Sequence, residues 1–281
     1  MQNNYEIIKI MNNNIILVKN LQTDNEAVLV GKGIGFGKKT NSLVKISKNA
    51  IEKMFITYDE KLKKDYFEII DSIDNVIIET CSEIILKAEE VLGKLNSRIH
   101  IVLTDHISFA LERMNMGLTI ENPFINEIRI LYKKEYEIAV EARQLLNKRM
   151  NIDIGEGEVG FIALHINAAK LNKEVKETLK ETRLIKELVA IIEKELNYKI
   201  ENSITYNRLI DHLKGCIHRV RTKTTVNNPL IEILKKEFSE SFDIALKIKE
   251  RLDEELDEKI PIGELGYLTI HINRVKNVKN A

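Results

Sequence analysis

The sequence predicts an α+β protein of several domains, with a small antiparallel β-sheet followed by two homologous all-α helical bundles. Three observations predict this fold class. Short β-prone runs fill the first 57 residues, helical periodicity begins after about residue 60, and two later stretches match each other at a constant offset of 106 residues. We therefore expect domains at residues 1–57, 69–173 and 174–281, with a linker at 58–68.

The amino-terminal sheet is predicted from four short runs of apolar and β-branched residues, at 5–11, 15–18, 27–30 and 43–46. Asn-rich and Asp-containing turns and a glycine-rich loop separate these runs. The segment is also basic, because residues 1–57 contain eight lysines but only four acidic residues, in a chain whose net charge is zero. The surplus of positive charge is thus concentrated in the predicted sheet.

The glycine-rich loop, residues 31–39, contains four glycines, three lysines and one phenylalanine. Its spacing resembles a dinucleotide-binding fingerprint, but such a fingerprint needs a helix directly after the loop, and a turn and strand are predicted there. A phosphate loop of the Walker type is excluded because Gly33 follows the Gly-Lys pair. The exposed backbone, lysines and aromatic ring suit phosphate contact and base stacking in single-stranded or looped nucleic acid. A flexible hairpin with solvated lysines is the alternative.

The remainder of the chain is predicted to be helical. Apolar residues recur at three- and four-residue steps through 69–92, 125–146 and 184–196. No apolar run approaches the roughly 18 residues of a membrane span, and the charged amino-terminal segment is unlike a signal peptide, so we expect a cytoplasmic protein without membrane insertion. Cys81 and Cys216 lie far apart without metal-ligand spacing and are expected to be buried free thiols.

The repeat preserves polar residues that packing alone does not explain. Each copy has an Asp-His pair, an arginine seven residues after the histidine, and a second histidine 59 residues after the first. An arginine two helical turns along the same face is a candidate partner for a phosphoryl group on that histidine. The four histidines are His106, His165, His212 and His271, and the two arginines are Arg113 and Arg219.

These motifs together resemble the BglG/SacY/LicT family of transcriptional antiterminators. Residues 9–14 and the loop at 31–39 resemble its co-antiterminator RNA-binding domain, and the two repeats resemble its two phosphotransferase-system (PTS) regulation domains. The resemblance covers nearly the whole chain in the family's order and includes all four histidine positions. Residues 31–39, 100–110 and 155–165 are most similar to the glucose-responsive, GlcT-type branch.

The resemblance implies an RNA-binding surface at Lys9, Asn14, Gly31, Lys32 and Phe36. Lysines neutralise phosphates, an asparagine amide reads a base edge, glycine allows close backbone approach, and a phenylalanine ring stacks on an unpaired base. The resemblance further implies a homodimer that binds a leader mRNA hairpin, the ribonucleic antiterminator, and prevents a terminator from forming. No catalytic residue, metal or cofactor is expected.

The resemblance also implies control by reversible phosphorylation of the four histidines. A sugar-specific PTS enzyme II would phosphorylate His106 or His165 and inactivate the protein when sugar is scarce. The phosphocarrier HPr would phosphorylate His212 or His271. Which histidine of each pair is modified first stays open.

Two alternatives belong to other functional classes. A DNA-binding transcription activator with the same regulation domains would need a helix-turn-helix before the repeat, where the sequence predicts strands. A metal-dependent phosphohydrolase could use the Asp-His pair and the second histidine as ligands. The Asp-His order and the lack of identified carboxylate ligands count against it.

Overall fold

The computed structural model describes residues 2–13, 15–31, 33–47, 50–51, 53–56, 73–201, 204–224 and 227–279. They form five strands and ten helices within two compact units. The first unit contains the sheet, the first two helices and residues 141–155 and 169–172. The second contains residues 120–140, 156–168 and the five carboxy-terminal helices. The linker predicted at 58–68 lies outside the described residues.

The amino-terminal sheet is antiparallel throughout, which confirms the predicted fold class. Its strands are β1 (Gln2–Asn12), β2 (Ile15–Asn20), β3 (Glu26–Val30), β4 (Leu43–Ser47) and β5 (Lys53–Ile56), in the order β4-β1-β2-β3-β5. The first four match the predicted runs. The strand β5 was not predicted from the sequence, since four residues at a sheet edge are too few to show a period.

Both faces of the sheet are covered within the first unit. Eight buried side chains form a cluster on one face: Tyr5, Ile7, Ile16, Val18, Ala27, Leu29, Ile34 and Ile46. Ile15, Leu17 and Val28 point to the other face and pack with Ile78 of the first helix. Because β2 is buried on both faces, it is a continuous apolar run and does not alternate with polar residues.

The ten helices follow in order and show the duplication directly. They are α1 (Asn75–Leu92), α2 (Ile99–Asn115), α3 (Ile125–Leu131), α4 (Lys133–Met150), α5 (Gly155–Lys170), α6 (Val175–Leu196), α7 (Ile204–Arg221), α8 (Ile231–Glu237), α9 (Ser239–Leu256) and α10 (Ile262–Lys279). Helices α3 and α4 recur as α8 and α9 at the 106-residue offset, and α2 and α5 recur as α7 and α10 with slightly shifted ends. We call α1–α5 the first module and α6–α10 the second.

One predicted helical stretch, 125–146, is two helices in the structure. Tyr132 leaves the helical conformation between α3 and α4, with φ −128° and ψ 48°, and Phe238 does the same between α8 and α9. The apolar pattern continues through the break because buried residues lie on both sides of it, so periodicity could not reveal it. No helix in the described residues is long and apolar enough to cross a membrane.

The cysteines are buried free thiols, as predicted. Burial raises the pKa of both Cys81 and Cys216 to about 12, so neither thiol ionises near neutral pH.

Candidate functional site

The glycine-rich loop is held firmly at its base and exposed at its tip. Ile34 enters the sheet cluster with 4% of its surface exposed, and the Gly35 N–H donates to the Asn13 carbonyl at 2.9 Å. Gly33 and Gly37 adopt positive φ values of 68° and 66°, which favour glycine. Between them Phe36 projects outward with 73% of its surface exposed. The loop therefore presents an aromatic ring to solvent from an ordered backbone.

Of the other predicted RNA contacts, Gly31 and Lys9 lie within the described residues. Gly31 is buried, and its carbonyl accepts from the Ile34 N–H at 3.0 Å. Lys9 pairs with Leu17 across β1 and β2, which places its side chain on the helix-facing face of the sheet, whereas the loop packs Ile34 on the opposite face. Asn14 and Lys32 lie outside the described residues, although their neighbours bring the β1–β2 turn and the glycine loop together.

The second module brings its two predicted histidines into contact. His212 on α7 and His271 on α10 stack with ring centroids 4.5 Å apart and an interplanar angle of 28°. Tyr267 lies 5.9 Å from the His212 ring. Nε2 of His212 is buried and has no hydrogen-bond partner in the described residues. Burial, together with the nearby His271 and Arg219, lowers the pKa of His212 to about 4, so its ring is neutral at pH 7.

Arg219 is already paired in the structure. Its Nε and Nη2 donate to the two carboxylate oxygens of Glu264 at 2.8 and 2.7 Å. Glu264 is fully buried, and this hydrogen-bonded ion pair raises the pKa of Arg219. Such a bidentate pair fixes both side chains. It also supplies hydrogen bonds to a carboxylate that is otherwise costly to bury. Any phosphoryl group on His212 would have to compete with Glu264 for this arginine.

The first module has the same residue types at the corresponding positions. His106 lies on α2 in the first unit, with its Nε2 atom buried, and His165 lies on α5 in the second unit, with its Nδ1 atom buried. The guanidinium carbon of Arg113 lies 5.6 Å from the centroid of the Phe109 ring. Phe109 itself is 62% exposed. Arg113 thus makes a cation–π contact with Phe109.

Other repeated residues have a structural role in both modules. The side-chain oxygens of Asn122 and Asn228 each accept a backbone N–H two residues later, at 3.0 Å. A Cβ atom at Gly160 would lie 2.7 Å from the Asn122 amide nitrogen, and one at Gly266 would lie 2.4 Å from that of Asn228. Both glycines are therefore required where a helix passes close to a loop.

Two arginines beside His271 were missed by the sequence analysis. Arg208 and Arg274 are both exposed, and both lower the pKa of His271 through their positive charge, after the effect of burial. Arg208 lies one helical turn before His212, and Arg274 lies one turn after His271. Helical spacing alone could have found them. They were overlooked because the repeat singles out residues that both copies share.

Comparison with known proteins agrees with this architecture. Residues 5–64 match the CAT RNA binding domain, and residues 82–169 and 186–275 each match the PRD domain. The chain is thus an RNA-binding protein with a duplicated regulation domain. The GlcA/glcB genes antiterminator of Staphylococcus carnosus is 35% identical over 286 residues, which cover 99% of this chain and 98% of the relative. Transcription antiterminator LicT of Bacillus subtilis is 34% identical over 277 residues, covering 96% and 98%.

A solved structure shows the same arrangement for part of the chain. The crystal structure of GlcT CAT-PRDI matches with a TM-score of 0.53 and 39% identity, covering 59% of this chain and 98% of that one. The chain belongs to the family of transcription antiterminators that join a CAT RNA-binding domain to two PRD domains. It is a regulator and not an enzyme, and its amino-terminal domain is the RNA-binding kind, which decides against the DNA-binding activator.

Proposed function

We propose that the chain is a sugar-responsive antiterminator that binds a leader mRNA hairpin as a homodimer and thereby prevents an overlapping terminator from forming. The observation that carries this proposal is the match in family order over nearly the whole length, with relatives named as antiterminators. A small sheet domain has little core of its own, so association of two copies would also stabilise it.

The proposed RNA surface consists of Lys9, Asn14, Gly31, Lys32 and Phe36. The exposed ring of Phe36 supports it, because an apolar ring held in solvent by an ordered loop is suited to stack on an unpaired base. The short distance between the Gly35 amide and the Asn13 carbonyl supports a continuous surface from the loop to the β1–β2 turn. Lys9 and Lys32 would neutralise phosphates and make binding depend on salt.

The proposed control is reversible phosphorylation of histidine by PTS proteins. A sugar-specific enzyme II would act on His106 or His165 and the phosphocarrier HPr on His212 or His271. Each phosphoryl group would add roughly −1.5 to −2 charges, by analogy with other phosphorylated side chains, which is enough to rearrange an interface. Arg113 and Arg219 stay candidate phosphate partners, and recruiting Arg219 would break its pair with Glu264.

Further details complete the proposal. We infer domain limits at 1–57, 69–173 and 174–281, a linker at 58–68, and action in the cytoplasm, where nascent transcripts are made. We also place the chain in the GlcT-type branch, with glucose as the inducing sugar. The similarity to the S. carnosus relative and to GlcT CAT-PRDI supports the branch.

A binding experiment tests the RNA assignment. Labelled hairpin RNA, copied from the leader upstream of a sugar-transporter gene, is titrated with the full chain, with Phe36→Ala and with Phe109→Ala. Both phenylalanines are exposed, but only Phe36 lies on the proposed surface. We expect Phe36→Ala to weaken binding by about 1–3 kcal/mol, the contribution of one stacked base, and Phe109→Ala to leave it unchanged.

Salt variation completes the test. The affinity of the full chain should fall steeply with salt concentration, because lysine–phosphate contacts release counterions. If the folded full chain binds no leader hairpin, the proposed target is wrong.

A further inference from the structure

Helix α3 of the first module is packed into the second compact unit. Residues 120–140, which contain α3 (Ile125–Leu131), share that unit with helices α6 to α10. Within it α3 packs against both α6 and α7. This helix is therefore joined to the second module by side-chain contacts as well as by the chain.

A buried hydrogen bond links α3 to α7. The Tyr206 hydroxyl donates to Oε1 of Glu127 at 3.0 Å, and each of the two residues has 5% of its surface exposed. Burial, followed by the charge of Glu127, raises the pKa of Tyr206, so the phenol keeps the proton that it donates. Oε2 of Glu127 is buried and has no hydrogen-bond partner in the described residues. A charge-assisted bond in such a dry site is strong, and breaking it would leave a buried carboxylate without a donor.

Two lysines of the second module bind backbone carbonyls at the two ends of α3. Nζ of Lys214 on α7 donates to the carbonyl of Leu131, the last residue of α3, at 2.9 Å. Nζ of Lys186 on α6 donates to the carbonyl of Pro123, two residues before α3 begins. The last carbonyls of a helix lack partners within it and favour a positive charge, so Lys214 suits its position.

Tyr132, which directly follows α3, adds a second buried hydroxyl to the contact. Its oxygen lies 3.2 Å from Oγ1 of Thr182 on α6. Thr182 donates its own proton to the Thr178 carbonyl at 2.9 Å, so Tyr132 is the donor between the two hydroxyl groups. Nζ of Lys214 lies 5.4 Å from the centroid of the Tyr132 ring, which adds a cation–π contact.

The polar side chains that α3 contributes are particular to the first module. At the 106-residue offset, Ile233 occupies the position of Glu127 and Phe238 the position of Tyr132. Ile233 is 58% exposed and Phe238 is 37% exposed, whereas Glu127 and Tyr132 are buried. The carboxylate and the hydroxyl are therefore features of the contact between the modules, and the repeated fold does not require them.

Helix α7 carries this contact and His212 on different faces. Each helical residue advances by about 100°, which places Tyr206 and Lys214 about 80° apart around α7. His212 is rotated by about 120° from Tyr206 and about 160° from Lys214. The face of α7 that α3 holds is thus turned away from the face where His212 stacks on His271 of α10.

We propose that Glu127 and Tyr206 form a latch that sets the position of α7, and that α3 thereby positions the His212 ring against His271. Glu127 is a positioning residue in this arrangement, because it acts on the ring through Tyr206 and α7. A shift of α3 in the first module is transmitted to His212 through the latch. The proposal concerns the free chain and depends on neither the RNA nor the phosphoryl donor.

The His212 ring reports the position of α7. Burial is the main cause that lowers its pKa to about 4. The groups that face the ring are His271, Tyr267 and Glu264 on α10 and Arg219 on its own helix. A loosened α7 would admit water and raise this pKa towards its ordinary value of about 6.5. Loss of the Glu127 charge alone would lower the pKa, so a rise identifies a change of position.

An NMR titration of the full chain, labelled with ¹³C at the histidine rings, tests the proposal. The His212 signal is assigned by its loss in His212→Gln, and circular dichroism checks that each variant is folded. Tyr206→Phe and Glu127→Leu remove the hydrogen bond, whereas Glu127→Gln keeps an oxygen that accepts it. Tyr198→Phe is the matched control, since Tyr198 is a half-buried tyrosine beyond the far end of α6.

We expect the pKa of His212 to rise by about one unit in Tyr206→Phe and in Glu127→Leu, because burial of the ring is partly lost. Glu127→Gln and Tyr198→Phe should titrate like the wild type. A wild-type titration in folded Tyr206→Phe would overturn the latch.

The remaining variants separate the latch from a general loss of packing. An equal rise in Glu127→Gln and Glu127→Leu would overturn the role of the hydrogen bond, because glutamine can still accept it. A rise of the same size in Tyr198→Phe would overturn the assignment to this contact. If Glu127→Leu unfolds the chain, Tyr206→Phe decides, since it removes a single oxygen atom.

Discussion

The two modules differ in the residue that lies beside their shared arginine. Arg113 lies over the exposed ring of Phe109, and Arg219 makes a bidentate pair with buried Glu264. At the position of Phe109 the second module has Gly215, where a Cβ atom would lie 3.0 Å from Nη1 of Arg219. The missing side chain lets the guanidinium fold closely against α7. The shared arginine thus lies beside an aromatic ring in the first module and beside a glycine in the second.

The largest effect is expected from breaking the buried ion pair of the second module. Arg219→Ala should lower the free energy of unfolding by about 3–5 kcal/mol, because the Glu264 charge stays buried without its partner. Thermal and urea unfolding measure the change. Adding Glu264→Gln should recover part of the loss, since a neutral amide is less costly to bury. No recovery in the double variant would contradict the buried charge as the cause.

A somewhat smaller effect should be common to both modules. Gly266→Ala and Gly160→Ala each place a methyl group against a buried asparagine amide, and we expect each to cost about 1–3 kcal/mol by overpacking. Gly266→Ala should cost more because its contact is closer. Unfolding midpoints of the two variants provide the comparison. Equal stability of Gly266→Ala and the wild type would show that α10 does not pack closely against the loop at Asn228.

The smallest expected effect is the pH dependence of stability that His212 contributes in the second module. The pKa of His212 is about 4 in the folded chain and near 6.5 when unfolded, so the unfolded state binds the proton first as pH falls. Its stabilising contribution is therefore complete above pH 6.5 and is lost as the pH falls towards 4. In His212→Gln, the free energy of unfolding should depend less steeply on pH across this range. If the free energy of unfolding of that variant depends on pH as steeply as in the wild type, other groups cause the loss of stability.

Much of the fold could be predicted from the sequence, because its signals are local or repeated. Strand runs, helical periodicity and the constant offset require no knowledge of tertiary contacts. The strand β5 was too short to recognise, and the helix break at Tyr132 lies within an unbroken apolar pattern.

The site could be predicted only where the two copies agree. The offset identified His212 and His271 and also repeats Arg219 and Glu264, but it does not show that these two side chains pair, because they lie 45 positions apart on different helices. Arg208 and Arg274 differ from their counterparts in the first module, so a search for shared residues passes over them. Asn14 and Lys32 stay predictions, since both lie outside the described residues.

The most direct test of the central claim measures antitermination in a leader-reporter strain with and without the transported sugar. The account predicts that the wild-type chain allows readthrough only with sugar, and that His106→Ala allows readthrough in both conditions because the inhibitory phosphoryl group has no acceptor there. The control is Gly155→Asn in the same module. Gly155 has a positive φ, which asparagine tolerates, so this variant should keep its fold and its sugar dependence. Unchanged sugar dependence in His106→Ala would contradict control through this histidine.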